Sequence, residues 1–83
     1  MSKRDKLVQK ILKGKLDVTP EEAQRILEML GFKAATTKTG GSHLTYRKAE
    51  RKSVTIVLTQ NPVKSYMLEK LQEALKNEGY KND

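Results

Sequence analysis

Cysteine is absent from the 83 residues, tryptophan is absent, histidine occurs once, and no run of apolar residues exceeds three. Without cysteine there is no disulfide framework, no thiolate nucleophile and no thiolate-bound zinc, which excludes a small secreted scaffold stapled by disulfides. One histidine with no clustered carboxylates offers no ligand set of usable spacing, so neither a metal nor a cofactor is expected. Apolar runs this short fall far below the ~20 residues that span a bilayer. The opening Met1-Ser2-Lys3-Arg4-Asp5-Lys6 leads into no apolar signal core, so no membrane association and a cytoplasmic location are expected. A chain of this length buries only roughly 60 to 65% of its unfolded surface and supports one core, which excludes a multi-domain enzyme.

What is present is positive charge. Seventeen Lys and Arg stand against ten Asp and Glu, a formal charge of +7. The excess is not uniform. Residues 1–15 are net positive by five, 16–31 net negative by three, 32–63 net positive by five, and the last twenty balance. Basic blocks concentrate polyanions and bind them through counterion release, so nucleic acid is the expected partner class. No segment pairs a broad apolar face with a wholly basic one, as a membrane-surface helix would.

Helical spacing of Leu7, Val8, Ile11 and Leu12 predicts a short basic amphipathic helix, and residues 1–16 read as an N-terminal extension. Thr19-Pro20-Glu21-Glu22 opens a second helix with an N-cap, a proline at the first helical position and a capping box, and Ala23, Ile26, Leu27 and Leu30 form its apolar stripe. Gly31 supplies the left-handed residue that ends it, and Phe32 folds back onto the stripe. Short β-branched residues over 32–38, a Thr39-Gly40-Gly41-Ser42 turn and the alternating His43 to Lys48 predict two strands. After a polar turn, Ser53 to Thr59 predicts a third strand with Val54, Ile56 and Leu58 on one face. Asn61-Pro62 stops it. Met67, Leu68, Leu71, Ala74 and Leu75 then mark a closing helix.

The expected fold is therefore α+β: an additional N-terminal helix followed by α-β-β-β-α over 19–79. That is the order of the double-stranded-RNA-binding domain (dsRBD), with both helices on one face of a three-stranded antiparallel sheet. Strand alternation directs Leu44 and Tyr46 to the helices and His43, Thr45 and Arg47 to the uncovered face.

The sequence Thr39-Gly40-Gly41-Ser42-His43, the alternating strand it opens, the second apolar strand, the Asn-Pro turn, the amphipathic helix beyond and the upstream Leu30-Gly31-Phe32 together resemble the HicA family of toxins over Thr19 to about Glu78. The resemblance implies a ribosome-independent mRNA interferase of dsRBD-like fold, the toxin of a type II toxin-antitoxin pair, inhibited by a HicB-like antitoxin. It makes Gly41-Ser42-His43 the family's Gly-Ser-His motif and His43 the catalytic residue. The chain departs from the family in its first sixteen residues. It also carries Leu44 where many relatives have a second His or another polar residue.

The chemistry needed to cut RNA without a metal agrees with that assignment. A group that titrates near neutrality must take the 2′-OH proton or protonate the leaving 5′-oxygen, and histidine is the side chain that does so unperturbed. Cations must neutralise the pentavalent phosphate, and Lys38 and Arg47 flank the turn, with Lys48, Arg51 and Lys52 at the next turn as further RNA contacts. Gly41 lets an RNA backbone approach closely, and Ser42 orients or binds rather than attacks, because no second histidine activates it.

Each of these residues also has a plainer reading. His43 is then merely exposed, Gly40-Gly41 only a hairpin turn, and the lysines and arginines guards that prevent sheet-to-sheet pairing. Tyr46, by its period, is core rather than a base-stacking platform. The principal alternative in function is a non-catalytic RNA-binding module of the same fold.

Overall fold

The computed structural model describes residues 3–35 and 43–81, and each predicted helix forms where its apolar spacing places it. Helix α1 (Lys3–Leu12) buries Val8, Ile11 and Leu12, with Leu7 packed against the same core. It lies on α2 (Pro20–Met29) and α3 (Ser65–Asn77), so the basic N-terminal helix shares the core of the other two. Polar ties fix it there. The Gln72 amide on α3 donates to the Ile11 carbonyl at 3.0 Å, an acceptor shared with the Gly14 N–H at 3.0 Å, and so ties the end of α1 to α3.

Thr19 caps α2 as its sequence predicts. The Glu22 backbone N–H donates to Thr19 Oγ1 at 3.2 Å, and Glu22 Oε1 accepts from the Thr19 backbone N–H at 2.9 Å. Lys10 of α1 then donates to the same carboxylate at 2.9 and 3.2 Å, fastening α1 to the start of α2. Burial opposes ionisation of Glu22, but the Thr19 N–H and the Lys10 ammonium outweigh it and hold this carboxyl below its usual range. At the other end Gly31 takes φ +94°, and the Phe32 N–H donates back to the Leu27 carbonyl at 2.9 Å. This left-handed closure delivers Phe32 into the core.

The sheet runs β1 (Lys33–Ala35), β2 (His43–Arg47) and β3 (Val54–Val57), antiparallel throughout and in sequential order. Its helix-facing side contributes Tyr46, Val54 and Ile56 to the core, with Leu44 partly buried against it. The Tyr46 ring is 1% exposed, and its hydroxyl donates to Glu28 Oε2 at 3.2 Å and Gln24 Oε1 at 3.3 Å, joining β2 to α2. The architecture is the α+β, dsRBD-like arrangement expected: an extra helix, then α-β-β-β-α, with the helices on one face of an open three-stranded sheet.

One expectation at an element end is corrected. The third strand stops at Val57, because the chain turns and the Gln60 N–H donates to the Val57 carbonyl at 3.1 Å. Strand alternation therefore does not reach Leu58, which is 40% exposed rather than facing the helices. Val18, in the connector between α1 and α2, is fully buried, and its carbonyl accepts from the Val63 N–H at 2.8 Å. Among the described residues no helix is long and apolar enough to cross a membrane.

Candidate nucleic-acid interface

A sheet covered by helices on one side leaves alternate strand residues on the other, and here these form three cross-strand rows. Lys33 of β1 stands opposite Arg47 of β2. The next row is Ala35, Thr45 and Thr55, in which the two threonine hydroxyls are hydrogen-bonded at 3.0 Å. The third is His43 opposite Val57. The direct Thr45–Thr55 bond shows that these residues share one face. Lys33, His43 and Arg47 are exposed, and no register position on this face carries a carboxylate. At about 3.3 Å per residue, His43 and Arg47 lie roughly 13 Å apart along β2.

The structure thus brings His43 and Arg47 onto the uncovered face and adds Lys33, which had no assigned role in RNA contact. Lys33 was inconspicuous because its pairing with Arg47 depends on the register of the β1–β2 hairpin, which is not evident from either strand alone. Lys38, Gly41 and Ser42 lie outside the described residues.

Lys48 and Arg51 are placed differently. The Lys48 ammonium donates to the Leu30 carbonyl at 2.6 Å, pairs with Glu78 Oε2 at 3.0 Å and sits 5.9 Å from the Phe32 ring centroid. Arg51 Nε donates to the same Glu78 oxygen at 3.1 Å. Lys48 first, then Arg51, hold the Glu78 carboxyl below its usual range by these hydrogen bonds. Both cations therefore bind the β2–β3 turn to the ends of α2 and α3, on the helix side of the sheet. Lys52 is exposed beside them and lines a cleft of about 600 Å³ with Phe32, Arg51, Val54, Lys70 and Ala74. His43 does not line this cleft.

Chemically, the open face offers one solvent-accessible imidazole, two cations without carboxylate partners among the described residues, and a hydroxyl pair. The mutual Thr45–Thr55 bond uses one hydroxyl hydrogen and leaves the other free to donate. Such a face suits a polyanionic strand laid along it. Among the described residues no group of three or more His, Cys, Asp or Glu could hold a metal ion. Comparison with known proteins returns no match to a protein-family model, a curated protein or a solved structure. The fold is thus a small helix-flanked antiparallel sheet of general dsRBD-like type.

Proposed function

We propose that this chain binds RNA through the uncovered face of its sheet and, in the finer form of that reading, cleaves it. The observation that carries the binding function is the segregation of charge across the sheet. Lys48 and Arg51 share the single Glu78 carboxylate on the helix side, whereas Lys33 and Arg47 face solvent with no carboxylate partner among the described residues. A face of that kind is free to neutralise phosphates, the dominant contribution to nucleic-acid affinity.

The finer reading is an endoribonuclease resembling the HicA toxins, acting on single-stranded regions of mRNA and inhibited by a HicB-like antitoxin. It is favoured by the exposure of His43, the last residue of the Gly-Ser-His motif, on the same face as Arg47. In the reaction the ribose 2′-oxygen attacks the adjacent phosphorus, the bond to the 5′-oxygen breaks, and a 2′,3′-cyclic phosphate and a 5′-hydroxyl result. His43 serves as the base that accepts the 2′-OH proton or the acid that protonates the leaving oxygen, a role worth about 10²- to 10⁴-fold in rate. Lys38 stabilises the phosphorane charge, Arg47, roughly 13 Å from His43 along β2, contacts a further phosphate, Gly41 and Ser42 accommodate the backbone, and Lys52 extends the phosphate contacts. Lys48 and Arg51, committed to Glu78, contribute to RNA only by exchanging that partner. An antitoxin that blocks the site brings acidic or apolar residues over His43, so its binding weakens with salt.

The test compares wild type with His43→Ala for binding and cleavage of a single-stranded RNA and for growth arrest on expression. Retained binding with loss of cleavage and of growth arrest is the expected result for the nuclease. Binding by both proteins and cleavage by neither leaves the RNA-binding module alone. No binding by wild type overturns both readings.

A further inference from the structure

Two like charges directly opposite one another on antiparallel strands repel, and a sheet normally avoids the arrangement. Lys33 and Arg47 occupy such a pair, at the register position where both side chains leave the same uncovered face. Both are exposed, and neither has a carboxylate within ion-pair distance among the described residues. A lone lysine on an edge strand suffices to discourage sheet-to-sheet pairing. That purpose does not explain why its cross-strand neighbour is also a cation. A bound anion between the two removes the repulsion and gains from both charges.

We infer that Lys33 and Arg47 form a single phosphate clamp, and that it holds a phosphate other than the one beside His43. This rests on the RNA reading above and adds to it a second contact point at a defined distance. Along the strands, successive same-face rows are about 6.6 Å apart, so the clamp lies two rows, roughly 13 Å, from the row of His43. One row spacing is comparable to one nucleotide of extended RNA backbone. The middle row is low and polar, with the Ala35 methyl and the Thr45–Thr55 hydroxyl pair, and provides a free hydroxyl donor beneath the intervening nucleotide. An RNA strand that places one phosphate at His43 therefore places another, about two nucleotides along, between Lys33 and Arg47. The clamp makes substrate length a determinant of binding, with very short oligonucleotides held only at the His43 end.

The experiment uses the full chain and a single-stranded RNA made non-cleavable by 2′-O-methylation. Lys33→Glu converts the repelling pair into an attracting one, so its unfolding midpoint is expected at or above that of wild type while RNA affinity falls tenfold or more. Lys81→Glu makes the same change of net charge at an exposed position after α3 and is expected to lose less than threefold. Lys33→Gln, which removes a charge without adding one, is expected to fall between them and to lower the slope of log affinity against log salt by about one. Replacing single phosphates by neutral methylphosphonates along the RNA should locate one linkage whose neutralisation weakens wild type but not Lys33→Glu. If Lys33→Glu and Lys33→Gln bind no more weakly than Lys81→Glu, the clamp is refuted while RNA binding stands. If wild type does not bind the RNA, both fall together.

Discussion

Ile11→Ala tests whether the basic N-terminal helix belongs to the folding unit. Ile11 is 0% exposed in the core where α1 meets α2 and α3, beside Val8 and Leu12. Truncation to alanine removes buried carbons and leaves a cavity that the surrounding helices close only in part, a cost of about 2–5 kcal/mol. A domain of this size has a total stability of roughly 4–12 kcal/mol, so the loss is a large fraction of it. At about 4–8 °C per kcal/mol, the unfolding midpoint falls by roughly 8–40 °C. The assay is urea unfolding followed by far-ultraviolet circular dichroism, since the chain has no tryptophan to report on its core. An unchanged denaturant slope assigns the difference to native stability. A loss under about 1 kcal/mol would refute the placement of α1 in the core. The result bears on function, because deleting residues 1–16 would also remove Val8, Ile11, Leu12 and the Lys10–Glu22 pair. Such a deletion reports on folding rather than on RNA contacts by the helix, which exposed positions such as Lys6 and Lys13 test without that ambiguity.

Tyr46→Phe keeps the buried ring and removes the hydroxyl that donates to Glu28 and Gln24, with an expected loss of about 1 kcal/mol in the same unfolding assay. In wild type, burial and then the adjacent Glu28 charge push this phenol up to about 12 from 10.0, so its contribution to stability is complete below pH 10 and is lost as pH rises towards 12. Ultraviolet titration should show this phenol ionising above the ordinary tyrosine value of 10.0. Glu78→Gln removes the charge shared by Lys48 and Arg51 and should lower the unfolding midpoint at neutral pH. Because the folded carboxyl lies below its ordinary 4.5, its contribution is present above that value and disappears on acidification through the folded one. The midpoint difference between wild type and Glu78→Gln should therefore narrow as pH drops below about 4.5, and a constant difference would rule out the ionic contribution.

Features set by neighbours in sequence were legible from the residues alone. The Thr19-to-Glu22 capping box needs three residues' separation, and the left-handed Gly31 needs only the end of an apolar stripe. Period-two alternation placed Tyr46 in the core and His43, Thr45 and Arg47 on the opposite face. Features set by distant partners were not. Lys48 and Arg51 resemble any other basic turn residues until Glu78, 27 or more positions away, folds onto them. Val18 shares a short connector with Leu16, which is exposed, so no periodicity marks Val18 as core. Leu58 continues the strand pattern in composition, but a backbone turn ends the pairing one residue earlier. The RNA reading rests on a basic block, and the fold divides that block into cations paired with Glu78 and cations without a carboxylate among the described residues.

That division has a consequence for how the sequence can drift. Lys48 and Arg51 are constrained by the molecule itself, and a lineage that replaces Glu78 should change them in step, since their exchange partners lie within the same chain. Lys33 and Arg47 have no such anchor among the described residues, so folding stability alone would let either be lost or even favour it. Their retention together in related chains would measure selection by the ligand, and their separate loss would mark lineages that no longer hold one there.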